Sequence, residues 1–330
     1  MILNRRTLVG SLPLICAMTG AQARPASPDS AGWPARPVRF IVPAAAGSAG
    51  DDVCRLVAAK LGERFRQQFV VVNQPAAVGT LAVQDLARAT PDGYTIGQIS
   101  ESTNVIAKLY NPSLAYDGVK DFALISLIGS SPYVLAVHPG LPVKNVEELL
   151  SLAKEKPHPL SNAAFGTMSL GYLASRLFER KAGIRLNQIP YRSSAQAVLD
   201  VVAGRVDMQF STLPPAVPLI RTGKLRAIAT TGAQRFATLS EVPTLAESGF
   251  PGFDATLWLA LAAPVGTAAG IIATLNGELI AMLRSEEMRA AMLRRSFVAE
   301  ACSPDALAGR IRDDLAAWRD IVATGGPARN

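Results

Sequence analysis

Four stretches of small residues, each lying just before an apolar-periodic segment, carry the groups best suited to chemistry in this chain. They are Pro43–Ala44–Ala45–Ala46–Gly47–Ser48–Ala49–Gly50–Asp51, Asn73–Gln74–Pro75–Ala76–Ala77–Val78–Gly79–Thr80, Gly166–Thr167–Met168–Ser169 and Tyr191–Arg192–Ser193–Ser194. Small side chains let backbone N–H groups come close to a ligand, and a helix start adds unpaired N–H groups and a positive dipole end. That chemistry suits capture of an anion, a carboxylate above all, through charge-assisted hydrogen bonds worth roughly 1.5–3 kcal/mol each. Three or four such bonds, less the ordering costs, reach the ~8 kcal/mol of micromolar binding. Each loop taken singly also fits a plain helix cap, with Asp51 as N-cap of the first. A phosphate loop is excluded, because no Gly-Lys-Ser/Thr follows and the dinucleotide glycine spacing is absent.

Nucleophilic catalysis has weaker support. Ser48 and Ser169 are the best candidate nucleophiles, yet neither sits in Gly-x-Ser-x-Gly, and neither His138 nor His158 is placed by sequence as a base. The histidines also fall in no ligand-spaced cluster, so no metal and no cofactor are expected. A serine-dependent hydrolase is the lesser alternative to a binding protein. Four further residues bear on a site. Ser102, just past the third strand, is a candidate ligand donor. Arg192 either counters a ligand carboxylate or is an exposed charge. Asp207 either orients second-half loops or sits at a solvated sheet edge. Glu101 would repel an anion if it faced the ligand.

The elements that must position these loops alternate between strand and helix. Val38–Val42, Phe69–Val72 and Tyr94–Gly97 read as short strands, the first apolar on both faces as a buried parallel strand should be. The helix from about Asp51 puts Val53, Leu56, Val57, Leu61 and Phe65 on one face, and another follows Gly79. The second half repeats the pattern, with strands at Val134–Val137, Leu186–Ile189, Val206–Phe210 and Leu225–Thr230. Its helices carry Val146, Leu149, Leu150 and Ala153, then Leu170, Leu173 and Leu177, then Val198–Val202, then the segment opened by Pro214–Pro215. Ser303–Pro304–Asp305 starts a last helix, with Leu307, Ile311, Leu315, Trp318 and Val322 inward. Alternating β and α units imply an α/β fold with parallel sheets covered by helices, here in two lobes with a cleft between.

The N-terminus reads as an export address. Arg5 and Arg6 precede the apolar run Leu8–Thr19, and Ala21–Gln22–Ala23 is a small-x-small cleavage site, so residues 1–23 form a signal peptide. Arg5–Arg6–Thr7–Leu8–Val9 also resembles a twin-arginine signal, leaving Sec and twin-arginine routes both open. Residues 24–34 read as an extended leader. The formal charge of +7 falls to +5 once the two arginines are removed, and the rest disperses among acids with no basic, aromatic-laced stripe, so nucleic acid is not a partner. After Cys16 is removed, Cys54 and Cys302 remain, read as two buried thiols rather than a disulfide.

Several stretches carry a resemblance. Trp33–Pro34–Ala35–Arg36–Pro37–Val38, the Val42–Pro43 loop ending in Asp51, Val72–Asn73–Gln74–Pro75, Pro91–Asp92–Gly93–Tyr94–Thr95, Pro190–Tyr191–Arg192, Gly204–Arg205–Val206–Asp207–Met208 and Ala263–Pro264–Val265–Gly266–Thr267 run in order over nearly the whole mature chain. In these the chain resembles the Bug family, the substrate-binding proteins of tripartite tricarboxylate transporters. The resemblance implies a periplasmic-binding-protein (Venus flytrap) fold, with lobe one over 35–130 and 254–330 and lobe two over 131–253. Strands near Tyr133–Val137 and Thr256–Ala262 would cross between them as the hinge. It implies a monomer that grips a small organic acid and passes it to membrane transporter subunits, or to a sensor, and that works in the periplasm without catalysis. This chain departs from the family pattern at Ala44, Ala45, Gly47, Ser48 and Ala49, at Ala76–Ala77–Val78–Gly79, and at Met168 and Tyr172. A pocket lined by Ala, Val and Met suits a larger or more apolar acid.

Overall fold

The computed structural model describes residues 32–325 other than 167–168 and 192–193. The expected signal peptide and most of the leader lie outside the described residues. The end of the leader is docked: the Trp33 indole donates to Gly93 O, and its ring meets Phe65 edge-on.

Two βα series follow one another. The first comprises β1 (Val38–Val42), α1 (Ala49–Phe65), β2 (Phe69–Asn73), α2 (Thr80–Ala87), β3 (Thr95–Ser100), a π-helical turn Ser102–Ile106 and α3 (Ala107–Tyr110). After β4 (Phe122–Val137) the second comprises α4 (Val146–Glu155), β5 (Leu160–Phe165), α5 (Leu170–Ala182), β6 (Leu186–Tyr191), α6 (Ser194–Val202), β7 (Met208–Thr212), α7 (Leu213–Arg221) and β8 (Arg226–Thr230). The chain then returns through β9 (Thr256–Pro264) to α8 (Ala269–Leu283), α9 (Glu286–Arg294) and α10 (Pro304–Gly325).

These form a two-lobed α/β fold. In the first lobe β2, β1 and β3 are parallel, with β9 antiparallel to β3 and β4 antiparallel to β9. In the second β6, β5 and β7 are parallel, and β4 runs antiparallel to β7 and β8. β4 therefore serves both lobes. Its Phe122–Pro132 part pairs with β9, and Tyr133–Val137 with β7 and β8. Sequence periodicity finds only the second part, because the strand is buried along nearly all of its length and shows no alternation.

The two crossings are tied by Thr231, which is fully buried. Its hydroxyl donates to Ala255 O and accepts from Tyr133 N, while its amide donates to Tyr133 O. The largest apolar cluster spans both lobes. α10 supplies Leu307, Ile311, Trp318 and Val322 to it, beside Leu173, Phe178 and Phe210 of lobe two and Val83, Leu86 and Ile99 of lobe one. Cys54 is buried and Cys302 half-buried, and the two are unpaired. The sequence reading expected both inside; Cys302 sits in a loop where its sulfur accepts from Leu127 N.

Candidate functional site

The first loop is folded around Asp51. This carboxylate, 1 % exposed, accepts from Gly47 N at 2.8 Å and Arg55 Nε at 2.9 Å through Oδ2, and from Asn73 Nδ2 at 2.8 Å through Oδ1. Asn73 also donates to Ala44 O, fastening β2 to the loop. Burial alone would raise the Asp51 pKa, but the guanidinium, amide and N–H donors outweigh it and hold the carboxyl below its usual range. The N-cap of α1 is Ser48 rather than the expected Asp51: its Oγ accepts from Asp51 N. Asp51 is instead the post that bends the loop. The Gly47 amide is thereby used inside the protein. The first amides of α1, at Ala49 and Gly50, have no intrahelical acceptor, and both residues line the interlobe cavity.

That cavity holds about 530 Å³, within the usual range for a small-molecule site. From lobe one it is also lined by Ser100, Glu101 and Ser102 at the end of β3, where the chain enters the π-helical turn. Glu101 is 1 % exposed. Its Oε2 accepts from Trp258 N at 3.0 Å and its Oε1 from Ser102 Oγ at 3.0 Å. Burial pushes its carboxyl up to about 7, only partly offset by those bonds. The hinge contributes Pro132, Tyr133, Leu257 and Leu259. The Tyr133 hydroxyl accepts from Gly171 N, and the ring lies so close to α5 that a Cβ on Gly171 would fall 2.8 Å from it.

Lobe two closes the cavity with two helix starts of different character. α6 presents Ser194 and Ala195, and the Ser194 hydroxyl lies 3.3 Å from Thr212 Oγ1 and from Gln209 Nε2. α7 presents Pro214 and Pro215. Proline has no N–H, so this helix start offers an apolar wall where most helices offer donors. Opposite lie Pro43, Ala44 and Phe297. Among the described residues lining the cavity there is no lysine or arginine, and Glu101 is the one carboxyl.

Of the sequence candidates, Gly47, Ser48, Gly50 and Ser102 line this cavity. Ala46 and Asp51 line an adjoining outer hollow with Arg221, Arg294 and Arg295. Ala45 makes the turn, its carbonyl accepting from Ser48 N. Ala77, Gly79 and Thr80 are absent from the cavity wall, and Gly79 packs behind it: a Cβ on Gly79, whose φ is +86°, would fall 2.7 Å from Pro43 Cβ; the side chain of the fourth candidate here, Val78, lies outside the described side chains. In lobe two, Gly166 N donates to Tyr191 O, Ser169 caps α5, and the Tyr191 hydroxyl donates to Asp200. None of these three is in the cavity wall. Thr167, Met168, Arg192 and Ser193 lie outside the described residues.

Asp207 is at the other end of the sheet, accepting from Ser161 N and Oγ. It is five residues, roughly 16 Å of strand, from the Thr212 that reaches the cleft. Ser194, the last residue of the fourth candidate loop, also lines the cavity, while sequence reasoning passed over Ser100, Tyr133, Thr212 and Phe297 as site residues. The one available signal was that Ser100 and Thr212 each end a strand.

Comparison with known proteins fits this geometry. The profile of the tripartite tricarboxylate transporter family receptor matches residues 53–326. Protein BugT of Bordetella pertussis is 32 % identical over 97 % of this chain and 98 % of its own. The structure of R. palustris Rpa4515 with adipate superposes with a TM-score of 0.79 at 32 % identity, covering 88 % of this chain and 98 % of that one. MatC from Rhodopseudomonas palustris, with bound malate, gives 0.74 at 30 %, covering 88 % and 100 %. A two-lobed chain with helix starts from both lobes around one cavity, matched by these proteins over nearly its full folded length, belongs to the tripartite tricarboxylate transporter receptor family, solute-binding proteins rather than enzymes.

Proposed function

We propose that this protein is a periplasmic receptor that closes its lobes over a small carboxylate with a largely apolar body and hands it to membrane transporter subunits. The observation that carries the reading is the meeting of the α1 and α6 starts at one cavity that also has an apolar wall of Pro43, Pro132, Pro214, Pro215, Leu257 and Phe297. A carboxylate at those helix starts exchanges its water for oriented N–H and O–H donors. The apolar wall then takes the rest of the molecule. Relatives solved with adipate and malate support the acid class. Outside the cleft, Arg221 of α7 and Arg294 at the end of α9 flank the first loop and give an approaching anion a favourable field. Closure would turn on Ser131–Tyr133 and Ala255–Thr256, between lobe one (35–130 with 254–330) and lobe two (131–253), and the N-terminal signal would carry the chain out.

The test is a melting-temperature screen against aliphatic and aromatic acids, since a ligand of the folded state raises apparent stability. Acids with apolar bodies are expected to raise it more than malate or citrate does; a response to malate and citrate alone would refute the apolar reading. Deletion of the gene is expected to abolish uptake of the strongest hit. Loss of gene induction with uptake intact would make the protein a sensor.

A further inference from the structure

We infer that capture of an anionic acid in the cleft takes up one proton at Glu101, which turns Ser102 from a hydrogen-bond acceptor into a donor toward the guest. The inference rests on the receptor reading above and concerns two adjacent residues of the cavity wall. Glu101 and Ser102 both line the cavity, and Glu101 is buried behind Ser102. In the ionised state Glu101 can only accept, and both oxygens are engaged, one by Trp258 N and one by the Ser102 hydroxyl, with its own backbone N–H also directed at the carboxylate. Ser102 has then spent its only proton inward and offers lone pairs to the cavity. A guest carboxylate would meet those lone pairs and a second buried negative charge, with no lysine or arginine among the described lining residues to balance them.

One proton on Glu101 Oε1 removes both conflicts. Oε2 still accepts from Trp258 N. The new O–H donates to Ser102 Oγ, and the Ser102 hydroxyl rotates to donate to the guest. No bond other than the O–H is made, and the proton comes from solvent. The group is poised for this, because burial already raises its carboxyl to about 7 before any anion arrives. Among the described residues, the charged and titratable groups facing it are few. From β4 comes the Tyr133 hydroxyl, held protonated by burial and by the Glu101 charge. From α10 comes Asp314, which accepts from the Trp258 indole and pairs with Arg310 at 3.0 Å. β9 presents only the Trp258 amide.

Gln at position 101 would imitate the protonated acid, accepting from Trp258 N and donating to Ser102. The experiment is calorimetric titration with adipate between about pH 6.5 and 8.5, where adipate is ionised, in buffers of different ionisation enthalpy. For the wild type, Kd is expected to rise toward tenfold per pH unit above about 7, with heats showing proton uptake that grows from a fraction of a proton at the acid end toward one proton at the alkaline end. Glu101→Gln is expected to lose the slope and the buffer dependence, and to bind about tenfold more tightly than the wild type at pH 8. A wild-type Kd independent of pH, or heats independent of buffer, overturns the inference while leaving the receptor intact, and needs no variant. A slope that survives Glu101→Gln assigns the proton to another group and overturns it too. Failure of adipate and of every acid in the screen to bind at any pH overturns the receptor reading, and this inference with it.

Discussion

Two loops of lobe one each bury a carboxylate almost completely beside the same cavity, and their chemistry diverges. After β1, Asp51 gathers a guanidinium, a side-chain amide and a backbone N–H. After β3, Glu101 has the Trp258 amide, its own backbone N–H and one hydroxyl, and, among the described residues, no cation within bonding distance. Both are 1 % exposed, but Asp51 lies near the surface beside the half-exposed Arg55, whereas Glu101 lies deep in the protein. Depth and donors together separate them. Asp51 is held ionised below its usual range and shapes the loop that presents the Ala49 and Gly50 amides. Glu101 is left near neutrality, where a proton more or less can change what the wall offers a ligand. The same lobe thus contains one carboxylate that builds and one that responds.

The contrast can be broken from the Asp51 side first. Asp51→Ala strands the Gly47 amide and removes one acceptor each from Asn73 and the half-exposed Arg55, which keep their bonds to Ala44 O and to Asn73 Oδ1; it is expected to cost about 2–4 kcal/mol in urea unfolding at pH 7, with weakened acid binding. The next effect lies in pH dependence. The folded Glu101 pKa stands above its unfolded value of about 4.5, so its contribution to stability is complete below that value and is lost as pH rises through about 7. Wild-type protein should lose on the order of 2–3 kcal/mol relative to Glu101→Gln between pH 4.5 and 8, read from urea midpoints. Asp51 works in the opposite sense, its stabilisation present above its unfolded pKa and lost in acid. The smallest effect is at the cap. Ser48→Ala removes the acceptor for Asp51 N and should cost about 1 kcal/mol of thermal stability, leaving the Asp51 contacts in place.

What could be read from the residues follows from where local rules apply. The apolar spacing of Val53, Val57 and Leu61, and the Ser303–Pro304 start of α10, are local facts, and the helices form where they predict. The small-residue loop before α1 was legible for the same reason. Which helix starts face the cleft was not legible, because that depends on strand order. The loop at Gly79 packs behind Pro43 rather than facing the cavity, since β2 lies at the outer edge of the sheet. The turn after β3, next to the hinge strand β9, takes the place it was expected to fill. Pro214–Pro215 announced a helix, but that it faces the cleft as a donor-free wall needed the lobes assembled. Glu101 raised the question of its own orientation, and only the packing against Trp258 answers it.

The central claim, that oriented donors from both lobes replace the hydration of a negatively charged guest, is tested most directly by titrating the protein at pH 6.5 with adipate and with its neutral diamide. Adipate is expected to bind with micromolar affinity and the diamide about a hundredfold or more weaker, the loss of one or two charge-assisted bonds. Equal affinity for the acid and the amide would contradict it.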